Sequence, residues 1–278
     1  MLARALGLGV LVGVVTAPAI AGVPIQEGKL VSLQVRGEAV KAYVSQPMRA
    51  GLYPGVVVIH EWWGLNGQIK GVADRTAEDG YVAIAPDLYR GKLGTDAGLA
   101  HELMRGLNEN YALDVVDQAI AWLRASEASI AKRPAGQEMP VGVLGFCMGG
   151  RIALATGLKP GDIQSVVMFY GSVETQKEAL KPLKVPLLGI FGNEDHGIPI
   201  DQIKAFDKAL TESGKQATIL VYPGVGHAFF NEERPGYDKE MAFDAWERTR
   251  MFLRETLVNA PADPTKKPAK EKPRLNED

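Results

Sequence analysis

Cysteine is nearly absent from this sequence: Cys147 is the only one among 278 residues. A single thiol cannot form a disulfide within the chain, so the fold has to rely on a large hydrophobic core. An excess of charge is absent as well, because the formal net charge is −2 at pH 7. Without an excess of lysine and arginine the chain has no positive charge to bind phosphate backbones, so we expect no nucleic acid partner.

Long apolar runs are absent except near the N-terminus. There, Arg4 precedes an apolar or glycine stretch over 5–15, and the A-x-A patterns that follow offer cleavage after Ala19 or Ala21. These are the three parts of a secretory signal peptide, and the apolar stretch is too short for a stable membrane span. We predict a signal peptide over 1–21 and a secreted or periplasmic protein without a stable membrane anchor. An uncleaved N-terminal membrane helix is the alternative.

The C-terminal end differs in composition from the rest of the chain. From residue 259 onward it is rich in proline and lysine, has almost no large apolar residue, and interleaves its lysines with acidic residues. Such a segment cannot bury enough apolar surface to fold, and its mixed charges favour a solvated tail. We therefore predict one domain over 22–258 and a disordered tail over 259–278.

Short apolar runs rich in β-branched residues alternate with longer segments of helical period. This alternation predicts an α/β fold, with a mostly parallel central sheet and helices on both faces. The first two runs meet at a short polar connection around Gly37 and Glu38, which predicts an antiparallel hairpin. The amphipathic segments 111–125 and 242–257 predict two of the helices. The predicted strands are 30–35, 40–44, 56–59, 81–85, 141–146, 165–170, 187–191 and 218–222.

The apolar run 140–144 leads directly into the sequence GFCMGG at 145–150, with Cys147 at its centre. This order is typical of the nucleophile elbow of the α/β-hydrolase fold, a sharp strand-to-helix turn that raises one side chain above the sheet. Gly145 and Gly149 stand where the turn brings backbones into close contact. We therefore predict that Cys147 is an acyl-transfer nucleophile. The alternative is a small buried hydrophobe, which is the commoner role of a free cysteine.

A thiol nucleophile needs a base, and the base needs a group that orients it. The loop after the predicted strand 187–191 supplies Asp195, and the glycine-rich turn after 218–222 supplies His227. The order cysteine, aspartate, histidine is the nucleophile–acid–base order of α/β-hydrolases. Glu194 competes with Asp195 for the role of the acid. For the base we prefer His227 to the other histidines, which are His60, His101 and His196.

Five motifs, in this order, resemble those of the dienelactone hydrolase family. They are HEWWGLN at 60–66, PDLYR at 86–90, GFCMGG at 145–150, GNEDHGIP at 192–199 and GHAF at 226–229. The resemblance covers about residues 28–258 and implies an α/β-hydrolase fold with a catalytic cysteine, aspartate and histidine. Such a site requires no cofactor, and no spacing of ligands in the sequence predicts a metal ion.

The resemblance also implies roles for the loop that carries Glu61. In this family a glutamate at that place contacts the cysteine, so Glu61 would share the proton of Cys147 and shift when substrate binds. A resting thiol that is kept neutral in this way resists oxidation. A helix-capping or salt-bridged carboxylate is the alternative role for Glu61. The backbone N–H groups of Trp62 and Met148 would form the oxyanion hole.

The best-known members of the family bind a substrate carboxylate with two arginines. Arg90 corresponds to the first, but Asn231 stands where the second is expected, and Arg234 is displaced from that position. Trp63, next to the oxyanion loop, is a further candidate substrate contact. The missing arginine favours neutral esters or lactones over anionic substrates.

We therefore expect a hydrolase of carboxylic esters or lactones, similar to carboxymethylenebutenolidase, that acts on a small molecule through a cysteine acyl-enzyme. We expect a monomer or a small homo-oligomer. Three alternatives stay open: an acyl transferase or peptidase that uses the same site, a non-catalytic ligand-binding protein of this fold, and a redox-sensing cysteine. With no second cysteine to resolve a sulfenic acid, the redox alternative is the weakest.

Overall fold

The structure is a computed structural model, and it describes residues 22–125, 138–161 and 163–259. Eight strands form one sheet in the order β1-β2-β4-β3-β5-β6-β7-β8. The strands are β1 (Lys29–Val35), β2 (Glu38–Ser45), β3 (Gly55–Ile59), β4 (Val82–Pro86), β5 (Val141–Phe146), β6 (Ser165–Phe169), β7 (Leu187–Gly192) and β8 (Ala217–Tyr222). All eight predicted strands are present, with small shifts at their ends.

The sheet is parallel except at one side. β1 and β2 form the predicted hairpin, in which Val35 pairs with Glu38, and β2 also runs antiparallel to β4. All other neighbouring strands in the sheet are parallel. Every residue of β3 to β7 is buried, so both faces of the central sheet are covered. Strands buried on both faces have continuous apolar sequences, which is why these runs could be recognised. The predicted α/β-hydrolase fold is confirmed.

Helices lie between the parallel strands, and one more helix follows the last strand. They are α1 (Gly67–Glu78), α2 (Ala97–Gly106), α3 (Glu109–Ala125), α4 (Met148–Leu158), α5 (Lys177–Leu180), α6 (Ile200–Glu212) and α7 (Lys239–Leu253). The last of these begins before the predicted residue 242, because the Asp238 side chain caps it by accepting from the Met241 N–H. Residues Arg254–Val258 continue as a π-helical turn.

The parallel register brings the loops of the candidate site to one edge of the sheet. Ile59 of β3 pairs with Gly145 of β5, and Gly192 of β7 pairs with Tyr222 of β8. The loops that follow β3, β5, β6, β7 and β8 therefore emerge side by side at the carboxyl ends of the strands. In open α/β sheets this edge is where ligands bind.

The elbow depends on two close backbone approaches. A Cβ on Gly145 would lie 2.0 Å from the carbonyl oxygen of Gly149. A Cβ on Gly149 would lie 2.3 Å from the carbonyl oxygen of Ile59 and 2.6 Å from that of His60. Only glycine fits at these two positions, as the spacing in the sequence predicted. The second approach also packs the start of α4 directly against the loop after β3.

The predicted signal peptide over 1–21 lies outside the described residues, and so does the predicted tail apart from Asn259. Within the described ranges no helix is both long enough and apolar enough to cross a membrane.

We predict that Gly149→Ala lowers the free energy of unfolding by about 1–3 kcal/mol or more, because its methyl group would overlap the backbone of β3. Chemical denaturation measures this change. Gly71→Ala is the matched control, since Gly71 lies in α1 and a Cβ there would meet nothing within 4 Å. That control should stabilise the protein by about 0.5–1 kcal/mol. Equal midpoints for Gly149→Ala and the wild type would contradict the proposed packing.

Candidate active site

Cys147 occupies the turn between β5 and α4, with φ 52° and ψ −115°. A positive φ is unfavourable for a residue with a Cβ and persists only where the surroundings enforce it. Here the Cys147 N–H donates to the Phe169 carbonyl at 3.0 Å, and the Cys147 carbonyl accepts from the Arg151 N–H at 3.2 Å. The thiol remains partly exposed, so the fully buried alternative does not apply.

The loops after β7 and β8 bring Asp195 and His227 together. His227 Nδ1 donates to Asp195 Oδ2 across 2.7 Å. The other carboxylate oxygen accepts from the N–H groups of Gly197 at 2.8 Å and Ile198 at 3.1 Å. Burial alone would raise the pKa of Asp195, but the hydrogen bond and charge of His227 and these two N–H groups lower it. Asp195 is therefore ionised at neutral pH.

His227 also forms a hydrogen bond with Cys147. Burial alone would lower the pKa of His227, but the hydrogen bonds to Asp195 and Cys147, together with their charges, raise it to about 10. The imidazole is therefore protonated at neutral pH, and the sulfur of Cys147 faces a cation.

The contacts also distinguish these residues from their competitors. Glu194 is exposed, whereas Asp195 is the carboxylate that contacts His227. His101 and His196 are exposed, and His60, the first residue of the loop after β3, is fully buried. The structure therefore brings Cys147, His227 and Asp195 into one hydrogen-bonded chain.

Glu61 is buried beside this chain, with 2% of its surface exposed. Its Oε1 accepts from the Tyr170 hydroxyl at 3.0 Å, and its Oε2 accepts from Asn231 Nδ2 at 2.7 Å. Burial raises the pKa of Glu61, although these two hydrogen bonds and the charges of His227 and Arg234 partly oppose the rise. The resemblance implied a contact between Glu61 and Cys147, and the structure shows other partners for both. Cys147 forms a hydrogen bond with His227, and Glu61 accepts from Tyr170.

Two backbone N–H groups are the candidates for the oxyanion hole. Neither the Trp62 N–H nor the Met148 N–H has a hydrogen-bond acceptor in the described part of the chain. Met148 is the first residue of α4, where N–H groups have no acceptor within the helix. Trp62 belongs to the loop that packs on the start of this helix. Both groups are therefore free to donate to an oxyanion.

A cleft of about 380 Å³ opens beside the cysteine. It is lined by Met104, Cys147, Met148, Arg151, Tyr170, Ser172, Gly197, Ile198 and His227. Sequence reasoning missed Arg151, although its position one helical turn after the cysteine is a signal that could have found it. For Met104 and Ser172 the local sequence carries no such signal. The Arg151 guanidinium pairs with Glu109 at 2.6 Å.

The three predicted substrate contacts do not line this cleft. The Arg90 guanidinium lies over the ring of Tyr111, 4.3 Å from its centroid, and pairs with Glu38 at 3.1 Å. Asn231 is fully buried, and its amide nitrogen donates to Glu61. The ring of Trp63 stacks against the Arg234 guanidinium, whose central carbon is 3.6 Å from the ring centroid.

The arrangement supplies what covalent acyl transfer requires: a nucleophile, a base, an acid that orients the base, and donors for an oxyanion. Among the described residues, no group of three or more histidine, cysteine, aspartate or glutamate side chains is arranged to hold a metal ion.

Comparison with known proteins shows the family to which the chain belongs. The model of the Dienelactone hydrolase family matches residues 40–257. "Protein usf" of Aquifex pyrophilus is 37% identical over 236 residues, which cover 83% of this chain and 100% of that protein. A "Putative carboxymethylenebutenolidase" of Aquifex aeolicus is 32% identical and matches over 83% of this chain and 99% of its own length.

A solved structure has the same fold. It is the crystal structure of a "Putative Dienelactone Hydrolase" from Klebsiella pneumoniae, with a TM-score of 0.73 and 28% identity. The match covers 83% of this chain and 99% of that one. The chain therefore belongs to the dienelactone hydrolase family, within the α/β-hydrolase superfamily, and is a hydrolase.

Proposed function

We propose that this protein hydrolyses carboxylic esters or lactones through an acyl-enzyme on Cys147. The observation that carries the proposal is the hydrogen-bonded chain from Asp195 through His227 to Cys147, at the mouth of a cleft. The names of relatives as carboxymethylenebutenolidases support a lactone or ester as the substrate class. An acyl transferase or peptidase would use the same groups, but no relative named above favours those reactions.

The first half-reaction forms the acyl-enzyme. The Cys147 thiolate attacks the carbonyl carbon, and the new C–S bond converts the carbonyl oxygen into an oxyanion. The N–H groups of Trp62 and Met148 stabilise this oxyanion. When the tetrahedral intermediate collapses, the C–O bond breaks and the His227 imidazolium gives its proton to the leaving oxygen.

The second half-reaction releases the acid. Neutral His227 takes a proton from water, and the resulting hydroxide attacks the thioester carbon. The same two N–H groups hold the second oxyanion. Collapse expels the Cys147 thiolate, and the proton that remains on His227 restores the ion pair.

In this proposal the cysteine is activated through His227. Burial raises the pKa of Glu61, but both of its oxygens already accept hydrogen bonds. To receive the proton of Cys147 directly, its carboxyl would have to turn away from Tyr170 or Asn231. The resemblance implies such a shift on substrate binding, but the proton transfers through His227 described above are complete without it.

The charge of the substrate follows from the same contacts. With Arg90 held by Tyr111 and Glu38, and Asn231 buried against Glu61, neither residue forms a carboxylate clamp in the cleft. The arginine that lines the cleft, Arg151, already pairs with a carboxylate. We therefore propose neutral esters or lactones as the preferred substrates.

We also propose export to the periplasm or outside the cell, on the basis of the N-terminal sequence.

We predict that iodoacetamide abolishes ester hydrolysis in proportion to labelling of Cys147, because the chain contains no other thiol. Activity and intact mass are measured on the same samples. A competing neutral ester should slow both changes. Fully labelled protein that still hydrolyses the ester would refute the nucleophile assignment.

We predict that Asp195→Asn lowers kcat by about 10²–10⁴-fold, because the acid orients His227 and stabilises its imidazolium. It should also change the pH profile. Hydrolysis requires protonated His227 to release the leaving group, so wild-type kcat/KM should fall as the pH rises through about 10. Loss of the Asp195 charge lowers the pKa of His227, so this falling limb should move to lower pH.

The control for this experiment is Glu194→Gln in the same loop, which changes an exposed side chain. It should leave both the rate and the pH limb near those of the wild type. If Glu194→Gln causes the larger loss, or if Asp195→Asn leaves the limb where it was, the assignment of the orienting acid is wrong.

A further inference from the structure

We infer that His60 is a positioning residue that aims the Trp62 N–H into the oxyanion hole. This inference rests on the proposed function, because it assigns a residue that serves the oxyanion of that reaction. His60 does not face the cleft and exchanges no proton with substrate. It acts through the peptide group between Glu61 and Trp62.

The hydrogen bonds of His60 fix the position of its proton. The ring is fully buried, and the Leu88 N–H donates to Nε2 across 3.2 Å. Because a backbone N–H can only donate, Nε2 must be the unprotonated nitrogen and Nδ1 must carry the proton. Nδ1 therefore donates to the Glu61 carbonyl oxygen at 2.6 Å. Burial lowers the pKa of His60 and keeps the ring in this neutral form.

The ring itself has little freedom to move. It packs edge-on against Tyr89, with 5.0 Å between ring centroids. Tyr89 belongs to the loop after β4, and this loop is fixed by Asp87. Asp87 Oδ1 accepts from the Tyr89 N–H at 3.0 Å, and Asp87 Oδ2 accepts from the Gly91 N–H. The Tyr89 hydroxyl reaches the sulfur of Met148 at 3.2 Å. His60 is therefore attached to a rigid loop that also touches the elbow.

Peptide geometry transmits this position to the oxyanion hole. The described residues contain no cis peptide bond, so the Glu61 carbonyl and the Trp62 N–H lie in one plane and point in opposite directions. Fixing the carbonyl therefore fixes the direction of the N–H. A second donor, the Gly64 N–H, reaches the same carbonyl oxygen at 3.2 Å. With its carbonyl held from two sides, the peptide cannot flip without loss of both hydrogen bonds.

The register of the sheet puts this peptide beside the nucleophile. Ile59, the last residue of β3, pairs with Gly145 of β5, so the loop that carries Glu61 and Trp62 begins beside the elbow that carries Cys147. Gly149 is in close contact with the carbonyls of Ile59 and His60, so the loop and the start of α4 touch. The Trp62 N–H has no acceptor among the described residues and is free for the oxyanion.

The substitutions His60→Asn and His60→Gln test the two hydrogen bonds of His60 one at a time. The amide nitrogen of Asn can replace Nδ1 as a donor to the Glu61 carbonyl, whereas the amide of Gln reaches the place of Nε2. His60→Gln should therefore lose the bond that holds the peptide. Removal of one oxyanion donor costs about 10²–10³ in kcat, so we expect a loss of that size with little change in KM. His60→Asn should recover activity to within about tenfold of the wild type, because it retains the donor.

A second readout separates positioning from general damage to the site. Alkylation of Cys147 by iodoacetamide forms no oxyanion, so its rate reports the Cys147–His227 pair but not the oxyanion hole. In His60→Gln the alkylation rate should stay within about twofold of the wild type while ester hydrolysis falls by about 10²–10³. The control is His101→Gln, because His101 contacts the Trp62 ring rather than its peptide, at 6.3 Å between ring centroids. Both rates should be unchanged in that variant.

Each outcome decides the inference. Undiminished hydrolysis in His60→Gln, or alkylation that falls as far as hydrolysis does, would overturn it. If His60→Gln does not fold, His60→Asn decides alone, and a hundredfold loss of hydrolysis in that folded variant would also overturn the inference. A wild type that hydrolyses the ester after complete alkylation would instead reject the proposed function, and with it the inference that rests on that function.

Discussion

The site depends on one constraint, which is the contact between backbones where α4 leaves the sheet. Gly149 lies against the carbonyls of Ile59 and His60, and Gly145 lies against Gly149. This contact leaves Cys147 at positive φ with its sulfur facing the cleft. It also brings the loop after β3, which carries Trp62, beside the first turn of α4, which carries Met148. A bulkier residue at either glycine would separate the nucleophile from the groups that serve it.

Backbone strain in the described chain is concentrated around this contact. Five residues other than glycine have positive φ, and three of them belong to the site or adjoin it: Cys147, Tyr170 and Ala228. Tyr170 contacts Glu61 and lines the cleft, and Ala228 follows the base. Such conformations cost of order 1–3 kcal/mol each and persist only where packing enforces them. The buried sheet of continuous apolar strands provides that enforcement, so the stability of the fold maintains the geometry of the site.

The fold and the central residues could be predicted because their signals are local. Doubly buried strands appear as short apolar runs, a hairpin as a polar connection, and the elbow as two glycines around Cys147. The destinations of long side chains could not be predicted, because they depend on partners far away in the sequence. Arg90 lies over Tyr111, and Asn231 donates to the buried Glu61. The arginine that lines the cleft is Arg151 of α4. Burial and the available hydrogen-bond partners decide these positions, and a family motif cannot specify them.

The central claim is that the acyl group of the substrate is transferred to Cys147. The most direct measurement mixes the enzyme with a chromogenic ester, quenches it with acid during turnover, and identifies the modified peptide by mass spectrometry. The account predicts one acyl group as a thioester on Cys147, which forms and decays at least as fast as kcat and is absent after prior alkylation. Turnover with the acyl group on another residue, or with no acyl group ever found on Cys147, would contradict it.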